Sequence, residues 1–253
     1  MYLVELANPK QLKTHLEYHA TLNPKLWSTF ADDKNYPMLK PEVQEALEKI
    51  SNAFLAFLKV EADKVADIIF TGSNANYNWS KLSDIDLHII LNYDAICKDC
   101  QENSSGFDLD DCYKAKKTVW NEYHDITIKD YIVEVYVEPK TEERSGNAGV
   151  WSLVKKDWIK VPQKEEDLVY DETQIKAKAA DLMHQIDMLS KESDATAIKA
   201  MQDKIKKMRQ AAISSGGEFS LENLVFKAIR NNGYMDKLYD LGNKAEDDEL
   251  SLK

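Results

Sequence analysis

Gly72-Ser73 is followed, after ten residues, by Asp84-Ile85-Asp86-Leu87-His88. These residue types at this spacing can handle phosphate and a divalent cation. Gly72 lets a ligand approach the backbone closely, and Ser73 adds a hydroxyl. If a helix starts at this turn, its first amides face whatever binds there and make a phosphate cradle. Asp84 and Asp86 are two apart, so on a strand they share a face. Two carboxylates ~4–5 Å apart repel by roughly 3–4 kcal/mol at an effective dielectric of ~20, less where water screens them. A fold rarely keeps such a pair without a cation, and hard oxygen ligands at this density suit Mg²⁺ or Mn²⁺. The best third carboxylate is Glu134, on the polar face of a later strand; Glu138 and Asp130 are the alternatives. Three acids so placed can hold two divalent ions ~3.5–4 Å apart, the arrangement used for in-line phosphoryl transfer.

The elements that must carry these residues follow from periodicity. Ile68-Ile69-Phe70 reads as a buried strand running into the turn. A second strand carries Asp84 and Asp86, with Asp84, Asp86 and His88 on one face and Ile85, Leu87 and Ile89 toward the core. Upstream, apolar residues at Val43, Leu47, Ile50, Phe54, Phe57 and Leu58 predict a helix from Pro41 to about Lys64. Before it, Pro9 starts a short helix carrying Leu12, Leu16 and His19, Pro24 and Pro37 break the pattern, and Trp27 and Phe30 cover a core edge. Downstream come a polar loop near Lys98–Gly106, a helix from Asp108 to about Tyr123, and a short strand Ile126–Ile128. A turn at Asp130-Tyr131 leads into the strand Ile132–Val137. There Val133, Val135 and Val137 form one face, and Glu134, Tyr136 and Glu138 the other. Pro139–Gly149 reads as a loop, and Val150–Val161, with Trp151 and Trp158, packs against the sheet.

Beyond Pro162 the pattern is helical: Thr173 to about Ser190, Asp194 to about Ile213, a helix capped by Ser220 and closed at Asn231-Asn232-Gly233, and a short last helix Tyr234–Leu241. The expected fold class is α/β (α+β): a mixed sheet flanked by helices, with an all-helical C-terminal part. The expected division is 1–162, 163–243, and an acidic flexible tail at 244–253.

The chain has 253 residues, 33 basic and 44 acidic, for a formal charge of -11. That balance disfavours a dedicated nucleic-acid binder, which normally shows a basic surface. Nothing resembles a signal peptide or a spanning segment, so a cytoplasmic location is expected. Cys97, Cys100 and Cys112 are too few and odd in number for a disulfide framework. With His124 they can be drawn as a zinc site, but reduced cytoplasmic thiols are the plainer reading.

The Gly72-Ser73 turn, the Ser83-Asp84-Ile85-Asp86-Leu87 element and a third acid on a later strand resemble the nucleotidyltransferase superfamily that includes DNA polymerase beta, the antibiotic nucleotidyltransferases and the minimal nucleotidyltransferases. This resemblance covers about residues 41–138. Val133–Glu138, Gly149-Val150-Trp151-Ser152, Glu222–Lys227 and Asn232-Gly233-Tyr234 further resemble an uncharacterised phage-type nucleotidyltransferase group, which brings no known substrate. The resemblance implies a nucleotidyltransferase catalytic domain at 1–162. It implies that Asp84 and Asp86 bind both metals, and that Glu134 binds the catalytic metal and helps deprotonate the acceptor. Gly72 and Ser73 would hold the β- and γ-phosphates, with Asn74 and Ser83 completing the nucleotide-binding set. The implied reaction is attack of a hydroxyl on the α-phosphorus of an NTP such as ATP, releasing pyrophosphate, with two Mg²⁺ or Mn²⁺ ions as cofactors. The third acid is Glu where the family more commonly has Asp, so strand position must absorb one extra methylene.

The acceptor is open between a small molecule, a protein hydroxyl and an RNA end; no membrane is expected, and a homo-oligomer is possible. Tyr77 and Trp79 either stack on a base or pack the loop. Asn74 and Asn76 either touch the nucleotide or form the turn. His88 reads as a hydrogen-bonded structural residue. Lys199, Lys204, Lys206, Lys207 and Arg209 read as a solvated helix face rather than a triphosphate surface. The competing functions on the same fold are a catalytically silent nucleotide sensor and a partner-binding, antitoxin-like protein.

Overall fold

The computed structural model describes residues 12, 14, 16–28, 36–100, 108–140, 148–164, 170–192 and 194–251, the side chains of 97–100 and 192 excepted. Phe30 and most of the segment expected to be helical after Pro9 lie outside these residues; of that segment, Leu16–His19 are not helical. Two compact units divide the chain: Glu17–Lys164, and Glu165–Lys253 together with the residues up to Leu16.

In the first unit, α1 (Pro41–Leu58) starts on a proline whose missing amide costs a first turn nothing. It stops at Lys59, which takes a left-handed conformation, short of the expected Lys64; a separate 3₁₀ turn, Ala62–Lys64, follows. The β-branched run of β1 (Val65–Thr71) then pairs antiparallel with β2 (Ile85–Leu91). The next stretch, α2 (Tyr93–Cys100), is helical over the first residues of the loop expected near Lys98–Gly106, the rest of which lies outside the described residues. α3 (Leu109–Tyr123) is capped by Asp108, whose carboxylate accepts from the amides of Asp110 and Asp111.

β3 (Thr127–Ile128) and β4 (Tyr131–Pro139) form a hairpin. Its turn residues are Lys129 and Asp130, both at positive φ as a tight two-residue turn requires, one position earlier than the sequence suggested. β4 lies parallel to β2. Val150–Val161 does more than pack on the sheet: it supplies β5 (Val150–Ser152) and β6 (Asp157–Lys160), extending the order to β3-β4-β2-β1-β5-β6.

One face of this mixed sheet is the core. Phe70, Ile85, Leu87, Ile89, Val133 and Val135 are buried there with Leu47 and Phe54 of α1, and with Trp27 and Trp151. Each such side chain contributes about 1.5–3 kcal/mol on burial. The alternate positions of β2 and β4 carry Asp86, His88, Glu134, Tyr136 and Glu138 on the opposite face, so hydrophobic registry fixes where the polar residues point.

The second unit is helical: α4 (Glu172–Glu192), α5 (Ala195–Gly216), α6 (Leu221–Asn231) and α7 (Tyr234–Leu250). Ile175, Ile186, Ile198, Ile205, Val225, Ile229 and Leu238 form its core, and Leu12 and Leu16 pack against it. Buried Asp187 accepts from Lys237 Nζ at 2.6 Å and Tyr234 Oη at 3.2 Å, which satisfies its charge and ties α4 to α7. Ser220 sits at the α6 N-cap position, but its hydroxyl donates to the Gly217 carbonyl instead of capping. α7 continues through Leu250, where a helix ending at Leu241 and a flexible tail from Lys244 were expected. Among the described residues no helix is long and apolar enough to cross a membrane.

Candidate active site

β1 and β2 bring the turn and the aspartates together. Thr71 pairs with Asp86 across the antiparallel ladder, so Gly72 falls beside the Asp86 side chain. A Cβ at position 72 would stand 1.8 Å from Asp86 Oδ2, and the backbone there has φ +83°. The backbone conformation calls for glycine, and a Cβ there would push the Asp86 carboxylate aside. The turn is a single 3₁₀ turn, Ser73–Ala75, and not the start of an α-helix.

β2 and β4 supply the third acid. In the parallel register Asp86 is the partner of Glu134, while Asp84 is the last residue before β2 rather than part of it. The three half-buried carboxylates of Asp84, Asp86 and Glu134 offer oxygens that all lie within 4.8 Å of one another. Glu138 is engaged elsewhere, with its Oε1 2.7 Å from His88 Nδ1. Asp130 sits exposed in the hairpin turn, where it accepts from Lys25 Nζ at 2.7 Å. A donor set made of carboxylate oxygens alone, crowded enough to repel, fits a hard divalent metal ion.

The remaining residues named from the sequence hold the loop in shape. Asn74 is fully buried. Its Nδ2 donates to the Asp84 carbonyl at 2.9 Å, its Oδ1 accepts from Asn23 Nδ2 at 2.7 Å, and its carbonyl accepts from Trp27 Nε1 at 2.7 Å. One asparagine thus joins the turn, the aspartate and the segment before α1. Ser73 Oγ donates to Ser83 Oγ at 2.8 Å, which in turn accepts from the Ser80 amide at 2.9 Å. Asn76 is buried and its Oδ1 accepts from the Tyr77 amide. Trp79 stacks on His19 at 3.7 Å between centroids and donates to the Thr21 carbonyl, and Tyr77 packs against the core. Both rings therefore pack the loop.

Tyr136 is a site residue that the sequence reading did not single out. Its hydroxyl donates to Glu134 Oε2, and its ring stacks on His88 at 4.7 Å. Burial foremost, then the bond to Glu134 and the negative fields of Asp86, Glu134 and Asp84, hold its pKa well above the ordinary phenol value. The signal was present in Glu134-Val135-Tyr136, two residues on one strand face, and needed only the question of what the glutamate leans on.

Toward the β3–β4 hairpin the carboxylates border a cavity of about 240 Å³ lined by Lys81, Leu82, Ser83, Asp84, Asp130, Ile132 and Glu134. The zinc arrangement falls partly outside the described residues, which exclude the Cys97 and Cys100 side chains. Cys112 is a free thiol, and His124 Nδ1 lies 2.9 Å from the Trp120 carbonyl while the ring stacks on Trp120.

No family model matches the chain, and comparison with curated proteins finds no match either. Among solved structures, the chain is similar to the Elizabethkingia meningoseptica CdnE cyclic dinucleotide synthase with GTP and Apcpp. The identity is 16%, with 79% of this chain and 75% of that chain covered and a TM-score of 0.27. It is also similar to the STING-associated CdnE c-di-GMP synthase from Capnocytophaga granulosa, at 10% identity, 83% coverage of each chain and a TM-score of 0.22.

Proposed function

We propose that this chain is a metal-dependent nucleotidyltransferase, moving NMP from an NTP to a hydroxyl acceptor with release of pyrophosphate. The observation that supports this most is the convergence of Asp84, Asp86 and Glu134 beside a glycine at which any side chain would push the Asp86 carboxylate aside. Asp84 and Asp86 would hold two Mg²⁺ or Mn²⁺ ions, with Glu134 completing the ligand set. Bound there, the ions supply neutralisation of phosphate charge and of the charge that builds on the reacting oxygens.

The chain's own residues do the rest. Gly72 and Ser73 receive the β- and γ-phosphates through their backbone amides, and the Ser73 hydroxyl joins them by turning its hydrogen away from Ser83. Asn74 and Ser83 act on the nucleotide by fixing that turn and Asp84 in place. Glu134 takes the acceptor's proton; its Oε2 already accepts from Tyr136, which leaves Oε1 for that task. The acceptor oxygen bonds to the α-phosphorus, the bond from that phosphorus to the bridging oxygen breaks, and pyrophosphate leaves with the electron pair.

The test is pyrophosphate release from each of the four NTPs with Mg²⁺ and cell extract. The wild-type chain releases pyrophosphate with at least one NTP. Asp86→Asn lowers the rate by about 100-fold or more, since losing such charge stabilisation costs several kcal/mol of barrier. Nucleotide binding with no pyrophosphate from any NTP would instead make the protein a sensor.

A further inference from the structure

In an in-line displacement the attacking oxygen and the leaving group lie on opposite sides of the phosphorus. The sheet order gives those sides an address. Gly72 and Ser73 follow β1, on one flank of β2, and β4 with Glu134 lies on the other. If the β- and γ-phosphates sit at the turn, as the proposed function has it, pyrophosphate departs on the β1 flank. The hydroxyl must then enter from the β4 flank, where the cavity of about 240 Å³ opens beside Glu134.

Two of its walls are apolar and open. Leu82 is 45% exposed and Ile132 is 55% exposed, on a rim otherwise made of charged and hydroxyl side chains. Ile132 shares the sheet face of Glu134, two residues away, so a compound resting on its side chain has a hydroxyl within reach of the carboxylate. The volume falls below the ~300–1,000 Å³ usual for drug-sized ligands, which suits a single ring or a short chain. A nucleic-acid strand would need several lysines or arginines along its phosphates. Lys81 is the cation among the cavity's named walls, and the nearby Lys25 is engaged by Asp130.

We infer that this cavity, between the Lys81–Asp84 loop and the start of β4, is the acceptor site, and that the acceptor is a small hydroxyl compound with an apolar face, held by Leu82 and Ile132. The inference rests on the proposed function and is tested so that the two can fail separately. The full chain is incubated with Mn²⁺ and the four α-labelled NTPs in the presence of the ultrafiltrate, the RNA fraction or the protein fraction of a cell extract. Label is expected on a compound of the ultrafiltrate. Ile132→Trp, which fills the cavity, is expected to lower that transfer about tenfold or more, the penalty of misplacing a reactant. Mn²⁺-dependent binding of the NTP and the melting temperature should stay near wild type. Leu82→Trp fills the cavity from the opposite wall and gives the same result even if the first variant folds poorly. Label on RNA or protein alone, or undiminished transfer by both folded variants, overturns the inference and leaves the nucleotidyltransferase reading standing. Label on nothing, in any fraction, overturns that reading and the acceptor site with it.

Discussion

Position 72 and position 136 set the geometry of the carboxylates from opposite sides. Any side chain at 72 would displace the Asp86 carboxylate, and an L-residue held at φ +83° and ψ -167° adds about 1–3 kcal/mol of strain. Tyr136 acts by attraction: its phenol donates to Glu134 while its ring is seated on His88, itself held by Glu138. Because its pKa is raised, the phenol remains a donor throughout the neutral range. Tyr136→Phe is therefore expected to weaken Mn²⁺ binding about 10–100-fold, the usual loss when a ligand's supporting bond is removed. The ratio to wild type should hold from about pH 6 to about pH 9, below the ordinary phenol pKa of ~10. Titration followed by the spin-resonance signal of free Mn²⁺ checks this; unchanged affinity would show that Glu134 needs no such support. Gly72, Asp84 and Asp86 were legible because their spacing lies within one stretch of chain. The service of Asn74 to Asp84 and of Tyr136 to Glu134 was not, since hydrogen-bond partners are set by three-dimensional packing.

At the scale of elements, β4 carries Glu134 and is the strand most in need of support. β3 pairs with only Tyr131 and Ile132, leaving the outer edge of the rest to another element. Asn121 of α3 fills that role: its Nδ2 donates to the Val135 carbonyl and its Oδ1 accepts from the Val135 amide, both at 3.1 Å. The side chain imitates a neighbouring strand and covers the edge. Asn121→Ala leaves both backbone groups of a buried residue unpaired and is expected to cost about 1–3 kcal/mol in urea unfolding. A midpoint equal to wild type would mean that β4 needs no lateral partner. β1, β2 and β4 could be read because alternation against a core is a local pattern. β5 could not: its three residues, Val150–Ser152, are too few to show a period, and they form a strand by pairing with β6 on one side and with Ile69 and Phe70 far upstream on the other. α2 was obscured by Asp94, Lys98 and Asp99, which break the apolar pattern around buried Ile96. In α7 the acidic run looked unfavourable in isolation, but the helix is anchored further up by Met235 and Leu238.

Across the whole molecule, a chain of net charge -11 concentrates three carboxylates within 4.8 Å on the face that its apolar registry turns away from the core. On the proposed function that arrangement is costly empty and favourable with cations bound, which would link stability and function through the same oxygens. The most direct measurement is the melting temperature of wild type and Asp84→Asn, in EDTA and in excess Mn²⁺. Without metal, Asp84→Asn is expected to melt about 2–4 °C higher, as relief of ~1 kcal/mol of repulsion gives for a chain of this size. Excess Mn²⁺ should raise wild type by several degrees and leave the variant nearly unmoved. A wild-type protein indifferent to Mn²⁺, or a variant less stable than wild type in EDTA, would contradict the claim that these carboxylates are gathered to hold cations.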